Sequence, residues 1–176
     1  MGKPPRVTEV VQRAIADSVD RLVVHETGVL HDDDVTAVHQ ARVATRRLRS
    51  DLHTFRDLLQ DGPVQELRAE LRWLGAELGA VRDVDVLRAR LHEHCARLPA
   101  ASAHTAERVV RRLDADRQEA GRELIAAIKS TRYEQLRESL LRASSHPPFN
   151  DDAEDATAAR RGAIRVQAQE AGTGVG

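Results

Sequence analysis

The chain reads as an all-α protein, an antiparallel helical bundle of about five to six helices. Three observations predict this. Apolar residues recur at intervals of three and four along most of the 176 residues, and no segment alternates as a strand would. Ala, Leu, Val, Arg and Glu dominate the composition, whereas the aromatics that favour strands make up 2%. Gly, Pro and Asp clusters separate the periodic segments by short connections, which favours antiparallel neighbours.

The first helix is predicted over about Thr8–Glu26, with Val10, Val11, Ile15, Val19, Leu22 and Val23 at helical spacing and Gly28 as its stop. Asp32, Asp33 and Asp34 supply an N-cap and favourable charge for a second helix that runs to about Gln60. Asp61-Gly62-Pro63 separates it from a third helix, about Val64–Gly79, whose seam is Leu67, Leu71, Leu74 and Leu78. A break at Gly79–Asp83 opens a fourth helix, capped by Asp83 or Asp85 and ending near Leu98. A fifth covers about Thr105–Lys129 and a sixth about Arg132–Ala143, before Pro147-Pro148 ends the pattern. Residues 1–149 thus form the bundle. Residues 150–176, acidic, then Ala/Arg-rich, then Gly-rich, read as a partly disordered tail.

Formal net charge is −1, so the chain is not a generally basic nucleic-acid binder. Cys95 is the one cysteine, which excludes a disulfide framework and a Cys-based zinc site. The N-terminus lacks the apolar core of a signal peptide, and no run is long enough to span a bilayer, so a cytoplasmic location is expected.

Positive charge is concentrated instead. His39, Arg42, Arg46, Arg49, His53 and Arg56 follow a 3-4-3-4-3 spacing, which stacks them into one ridge roughly 25 Å long on a helix. Most other arginines have acids three or four positions away: Arg88 has Asp85, Arg112 has Asp116, Arg137 has Glu134 and Arg142 has Glu138. Arg42, Arg46, Arg49 and Arg56 have none, so the ridge repels itself and calls for an external anion. It flanks the apolar stripe Ala41, Leu48, Leu52, Phe55 and Leu59, and Gln40, Arg47, Asp51, Thr54 and Asp57 read as the solvent side. Basic residues beside a core seam line a groove between elements. Guanidinium groups suit phosphate through bidentate hydrogen bonds, and His39 suits it as a donor.

Arg68 and Arg72, also without local acids, are expected to extend the groove, and Arg82-Asp83 at the break reads as a local ion pair or cap that holds Arg82 toward it. Lys129, Arg132 and Tyr133 are candidates for a far wall, and Trp73 reads as core. His92 and Cys95 share a helix face, but nothing nearby supplies two further metal ligands. No HExxH, GxSxG or GxGxxG pattern occurs, and no nucleophile–base constellation argues for catalysis.

VHQARVATRRLRSDLHTF, followed by ELRWLGAELGAVRDVDVL, resembles the CHAD family (conserved histidine α-helical domain) over about Val7 to Phe149. The resemblance implies an all-helical fold that binds inorganic polyphosphate on a surface of histidine, arginine and lysine, and the residues themselves call for no cofactor. His39, Arg42, Arg46 and Arg49 are the matching basic positions, and Arg82 and Asp83 match the second motif. Family members usually carry two such helical halves facing across a groove. Here a second His-x-x-Arg helix is missing, and the later cluster Arg160, Arg161 and Arg165 has no histidine. A homodimer that completes the groove, or a weaker half-domain, is therefore expected. Nucleic acid, an acidic protein partner, or a metal held by the histidines are the alternative ligands; scarce aromatics and a non-basic net charge argue against nucleic acid.

Overall fold

Periodic burial builds the molecule from the first helix onward. The structure is a computed structural model that describes residues 6–31, 34–95 and 103–153. Helix α1 (Val7–Leu30) buries Val11, Ile15, Ser18, Val19, Leu22 and Val29 along one face. It does not stop before Gly28. That glycine lies inside the helix, where an added Cβ would sit 2.5 Å from the Ala37 Cβ, so it serves close approach to the next helix rather than termination. Asp34 caps α2 (Val35–Thr54) by accepting from the Ala37 amide at 2.8 Å, while the expected contribution of Asp32 and Asp33 lies outside the described residues.

Helix α2 buries Ala37, Val38, Ala41, Ala44, Thr45, Leu48 and Leu52. Thr45, a polar residue in this seam, donates its hydroxyl to the Ala41 carbonyl at 2.8 Å. The helix ends at Thr54, short of the expected Gln60, and a single 3-10 turn over Arg56–Leu58 follows. The reason is a partner about ninety residues away: Leu59 pairs with Phe149 in an isolated antiparallel bridge, and the Gln60 amide donates to the Pro148 carbonyl at 2.8 Å. Asp51, read as solvent-facing, instead accepts from the Ser18 hydroxyl at 2.9 Å and ties α2 to α1.

The expected third and fourth helices are one, α3 (Asp61–Cys95), 35 residues long. No break occurs at Gly79–Asp83 because the buried face runs through it: Leu78, Gly79, Val81 and Asp85 are all inside. A helical glycine costs about 1 kcal/mol relative to alanine. Burying Leu78 and Val81 on either side outweighs that. Helices α4 (Ala103–Ile128) and α5 (Thr131–Ser145) follow, with Ser130 capping α5 through the Tyr133 amide. Of the tail predicted over residues 150–176, Asn150 donates to the Asp57 carbonyl at 3.0 Å and Ala153 is buried, so its first residues pack on the bundle; the rest lies outside the described residues.

The helices pack as an antiparallel up-and-down array, α1 on α2, α2 on α3 and α3 on α4, with α5 returning to α1. Gln12 donates to the Ser145 carbonyl at 2.8 Å, and Arg137 pairs with Glu26 at 3.2 Å, across the α1–α5 seam. The core is aliphatic, centred on Ile15, Leu48, Leu52, Leu71, Leu74 and Leu124. Where apolar contacts thin out along α3 and α4, a buried ion pair replaces them: Arg117 donates from Nε to Asp85 at 2.8 Å, with side chains 9% and 4% exposed. No helix among the described residues is long and apolar enough to cross a membrane.

Candidate anion-binding cleft

Helix geometry puts the ridge on one side of α2 as expected, but only from His39 to His53, about 21 Å. Arg56 has left it. On the 3-10 turn its Nε pairs with Asp57 at 3.3 Å, and its Nη1 lies 3.4 Å from His53 Nε2. A pairing rule based on helical offsets misses Asp57, which becomes a partner only because the helix has ended.

The antiparallel register against α3 decides what faces the ridge. Arg42 lies over a glycine strip: its Nη1 is 3.4 Å from the Gly75 carbonyl, and an added Cβ at Gly79 would meet it at 2.8 Å. One turn earlier on α2, half-buried His39 is therefore level with half-buried Arg82, three residues past Gly79. In the other direction Arg46, Arg49, Ser50 and His53 converge with Arg68 of α3 on a cleft of about 340 Å³. The Arg68 Nε–H is buried there without a hydrogen-bond partner. Such a donor is costly to leave unpaired. Arg72, one turn beyond Arg68, is exposed.

Two carboxylates near the ridge are engaged elsewhere. Asp51 turns to Ser18. Glu70 takes a two-pronged contact from Arg132 of α5, at 2.6 and 3.1 Å, and that guanidinium holds its carboxyl below the usual carboxylate range. Among the described residues none offers Arg46, Arg49 or Arg68 a carboxylate. Several other arginines are paired, often across helices rather than locally: Arg88 with Asp114 at 2.6 Å instead of Asp85, and Arg137 with Glu26 instead of Glu134, whereas Arg142 donates to the Ser139 hydroxyl at 3.3 Å and not to the expected Glu138. Arg112 pairs with Asp116 at 3.0 Å as its spacing predicts.

The expected far wall is not assembled. Arg132 lies 4.1 Å over the Trp73 ring and belongs to Glu70, and Trp73 packs against the core. Tyr133 is buried between α1 and α5, and Lys129 is exposed in the α4–α5 turn. A larger cleft of about 610 Å³ on the α5 side of α3 mixes Glu66 and Glu70 with Arg132 and Arg142, and there Arg132 is already paired with Glu70. No group of three His, Cys, Asp or Glu side chains among the described residues could hold a metal ion. Ser50, one turn after Arg46, carries no sequence signal of its own; of the two α3 arginines expected to extend the groove, Arg68 lines the cleft and Arg72 does not, a difference set by the α2–α3 register, which is not written in either helix.

Comparison with known proteins bears on this arrangement. The model of the CHAD domain family matches residues 13–172. The solved structure of PptA from Streptomyces chartreusis superposes with a TM-score of 0.70 at 22% identity, over 80% of this chain and 50% of that one. The likeness is one of fold, and the chain spans about half the length of PptA. No curated protein matches the chain.

Proposed function

The chain belongs to the CHAD domain family, and on that premise we propose that it is a non-catalytic module that binds inorganic polyphosphate in the α2–α3 cleft. One observation carries this reading: Arg46, Arg49, His53 and Arg68 converge on a single cleft, and none of the side chains that line it is a carboxylate. Guanidinium groups spaced by one helical turn suit an anion that repeats its charge along a line. The absence of carboxylates from the lining also leaves no residue there to hold Mg²⁺ for phosphoryl transfer. His39, Arg42, Arg72 and Arg82 extend the basic track beyond the cleft, and Arg56 contributes only after releasing Asp57.

The cleft has one basic wall on each of two helices and is otherwise open. A second copy of the chain, set with its own α2 facing the first, would enclose the ligand, so we infer a homodimer assembled around polyphosphate in the cytoplasm. An acidic protein and nucleic acid are the competing ligands, and neither has a specific observation in its favour.

The test is calorimetric titration with long-chain polyphosphate, for the natural chain and for Arg46→Ala/Arg49→Ala, at two salt concentrations. Binding should be tight, weaken steeply with salt, and be lost in the double variant. The slope of affinity against salt should fall by roughly one for each phosphate contact removed. Duplex DNA should compete poorly. A folded sample that binds no polyphosphate, or one in which DNA competes equally, refutes the reading.

A further inference from the structure

The two ends of the basic track are built differently. Toward the N-terminus of α2, Arg42 lies across Gly75 and Gly79 and, among the described residues, is the one α2 arginine of the track that donates to the α3 backbone, and no side chain from α3 closes in on it there. Toward the C-terminus, donors close in from both helices: Arg46, Arg49 and His53 from α2 and Arg68 from α3, with the Ser50 hydroxyl beside them. Immediately beyond, the track stops. Helix α2 ends at Thr54, the chain turns across through Arg56–Leu58, and Leu59 is tied to Phe149. Charge also reverses: Asp57, 83% exposed, occupies Arg56, and Asp61 opens α3. A polyanion that follows the track meets a pocket of three guanidinium groups and an imidazole, and then carboxylates.

We propose that this closed end receives the terminal phosphoryl group of a linear phosphate chain, and that Arg68 distinguishes an end from an internal phosphate. The inference rests on the polyphosphate reading and narrows it. An internal phosphoryl unit has two free oxygens and one negative charge. A terminal one has three free oxygens and a second ionisation, of the kind that gives a phosphate monoester a charge of about −1.5 to −2 at pH 7. The one-per-turn spacing on α2 suits the internal units, and the extra cation from α3 suits the extra charge. The guanidinium of Arg68, which lines the cleft from the facing helix, brings further N–H donors for the third oxygen.

The test compares linear tripolyphosphate, which has ends, with cyclic trimetaphosphate and cyclic tetrametaphosphate, which have none and bracket charge. Titrations at constant ionic strength use the natural chain, Arg68→Ala and, should the alanine variant unfold, Arg68→Lys. The natural chain should prefer the linear ligand by about tenfold, the ratio a modest difference in hydrogen bonding to charged groups produces. Either variant should bring that ratio close to one while long-chain polyphosphate loses much less. Long polyphosphate with both ends capped as phosphoramidates should bind more weakly than the uncapped polymer of the same length. Equal binding of linear and cyclic ligands overturns the proposal, as does a preference that survives both substitutions. If long polyphosphate binds but the preference is absent, end recognition fails and the polyphosphate reading stands; if no phosphate polymer binds, both fail.

Discussion

Arg46 and Arg49 are placed for a ligand at the expense of their own helix. They lie three residues apart, with Arg42 and His53 continuing the row on either side. Like charges at these spacings destabilise a helix by a few tenths of a kcal/mol per pair. The double variant Arg46→Ala/Arg49→Ala should therefore melt at the same temperature as the natural chain or higher, although it no longer binds. Thermal unfolding followed by circular dichroism checks this, and a variant that melts well below the natural chain would show that these side chains hold the fold. Tyr133, the one tyrosine of the chain, offers an independent probe. Burial, reinforced by the neighbouring Glu26 carboxylate that its hydroxyl bonds, pushes its phenol well above its ordinary pKa of about 10. The folded state thus holds this proton more tightly than the unfolded state. Its contribution to stability is complete below pH of about 10 and is lost as pH climbs toward the raised value. Phenolate absorbance should stay absent in the folded chain at pH 10 and appear together with loss of helix; reversible ionisation near pH 10 with the helices intact would contradict this.

At the scale of elements, two glycines with similar sequence contexts do opposite things. Gly28→Ala forces a Cβ against the Ala37 Cβ at 2.5 Å, a contact between two backbone-anchored atoms. The gain in helix propensity is about 1 kcal/mol, whereas overpacking of this kind costs typically about 1–3 kcal/mol. Gly28→Ala should therefore be destabilising, whereas Gly79→Ala meets only the flexible end of Arg42 and should be neutral or stabilising. Denaturant unfolding of the two variants distinguishes them, and equal effects would refute the α1–α2 crossing described above. The same measurement applies to α3 and α4. Removing one partner of the buried Asp85–Arg117 pair by Asp85→Ala should cost about 3–5 kcal/mol, and Asp85→Leu/Arg117→Met should recover most of it. These positions also mark what the sequence can reveal. Helix faces, the Asp34 cap, the core seam of α3 and the basic row on α2 are local or periodic and were legible. The end of α2, the continuity of α3 and the partners of Arg88, Arg137 and Asp51 depend on residues far away in the chain, and local rules misassigned them. The cleft lies between these cases: its α2 wall is a spacing, and its α3 wall is a register.

For the whole molecule, a net charge of −1 with a concentrated basic track implies that the ligand, not the free chain, drives association. A dimer held by apolar surface would form without ligand; one assembled around a polyanion forms only when the anion neutralises two facing rows of arginine. Light scattering should therefore show a monomer of 19.5 kDa in the free state. A linear polyphosphate no longer than the roughly 21 Å basic track should bring two chains together, with one ligand per two chains by calorimetry. Short ligand matters, because a long polymer gathers many chains on one strand without any contact between them. Binding also stabilises by mass action, about 2.7 kcal/mol at a ligand concentration one hundred times Kd. The melting temperature should rise with short polyphosphate and fail to rise in Arg46→Ala/Arg49→Ala. A compact monomer both with and without the short ligand, accompanied by a normal rise in melting temperature, would refute the dimer while leaving the cleft intact as a polyphosphate site. A dimer already present without ligand and insensitive to salt would instead place the contact on an apolar face, away from the arginines.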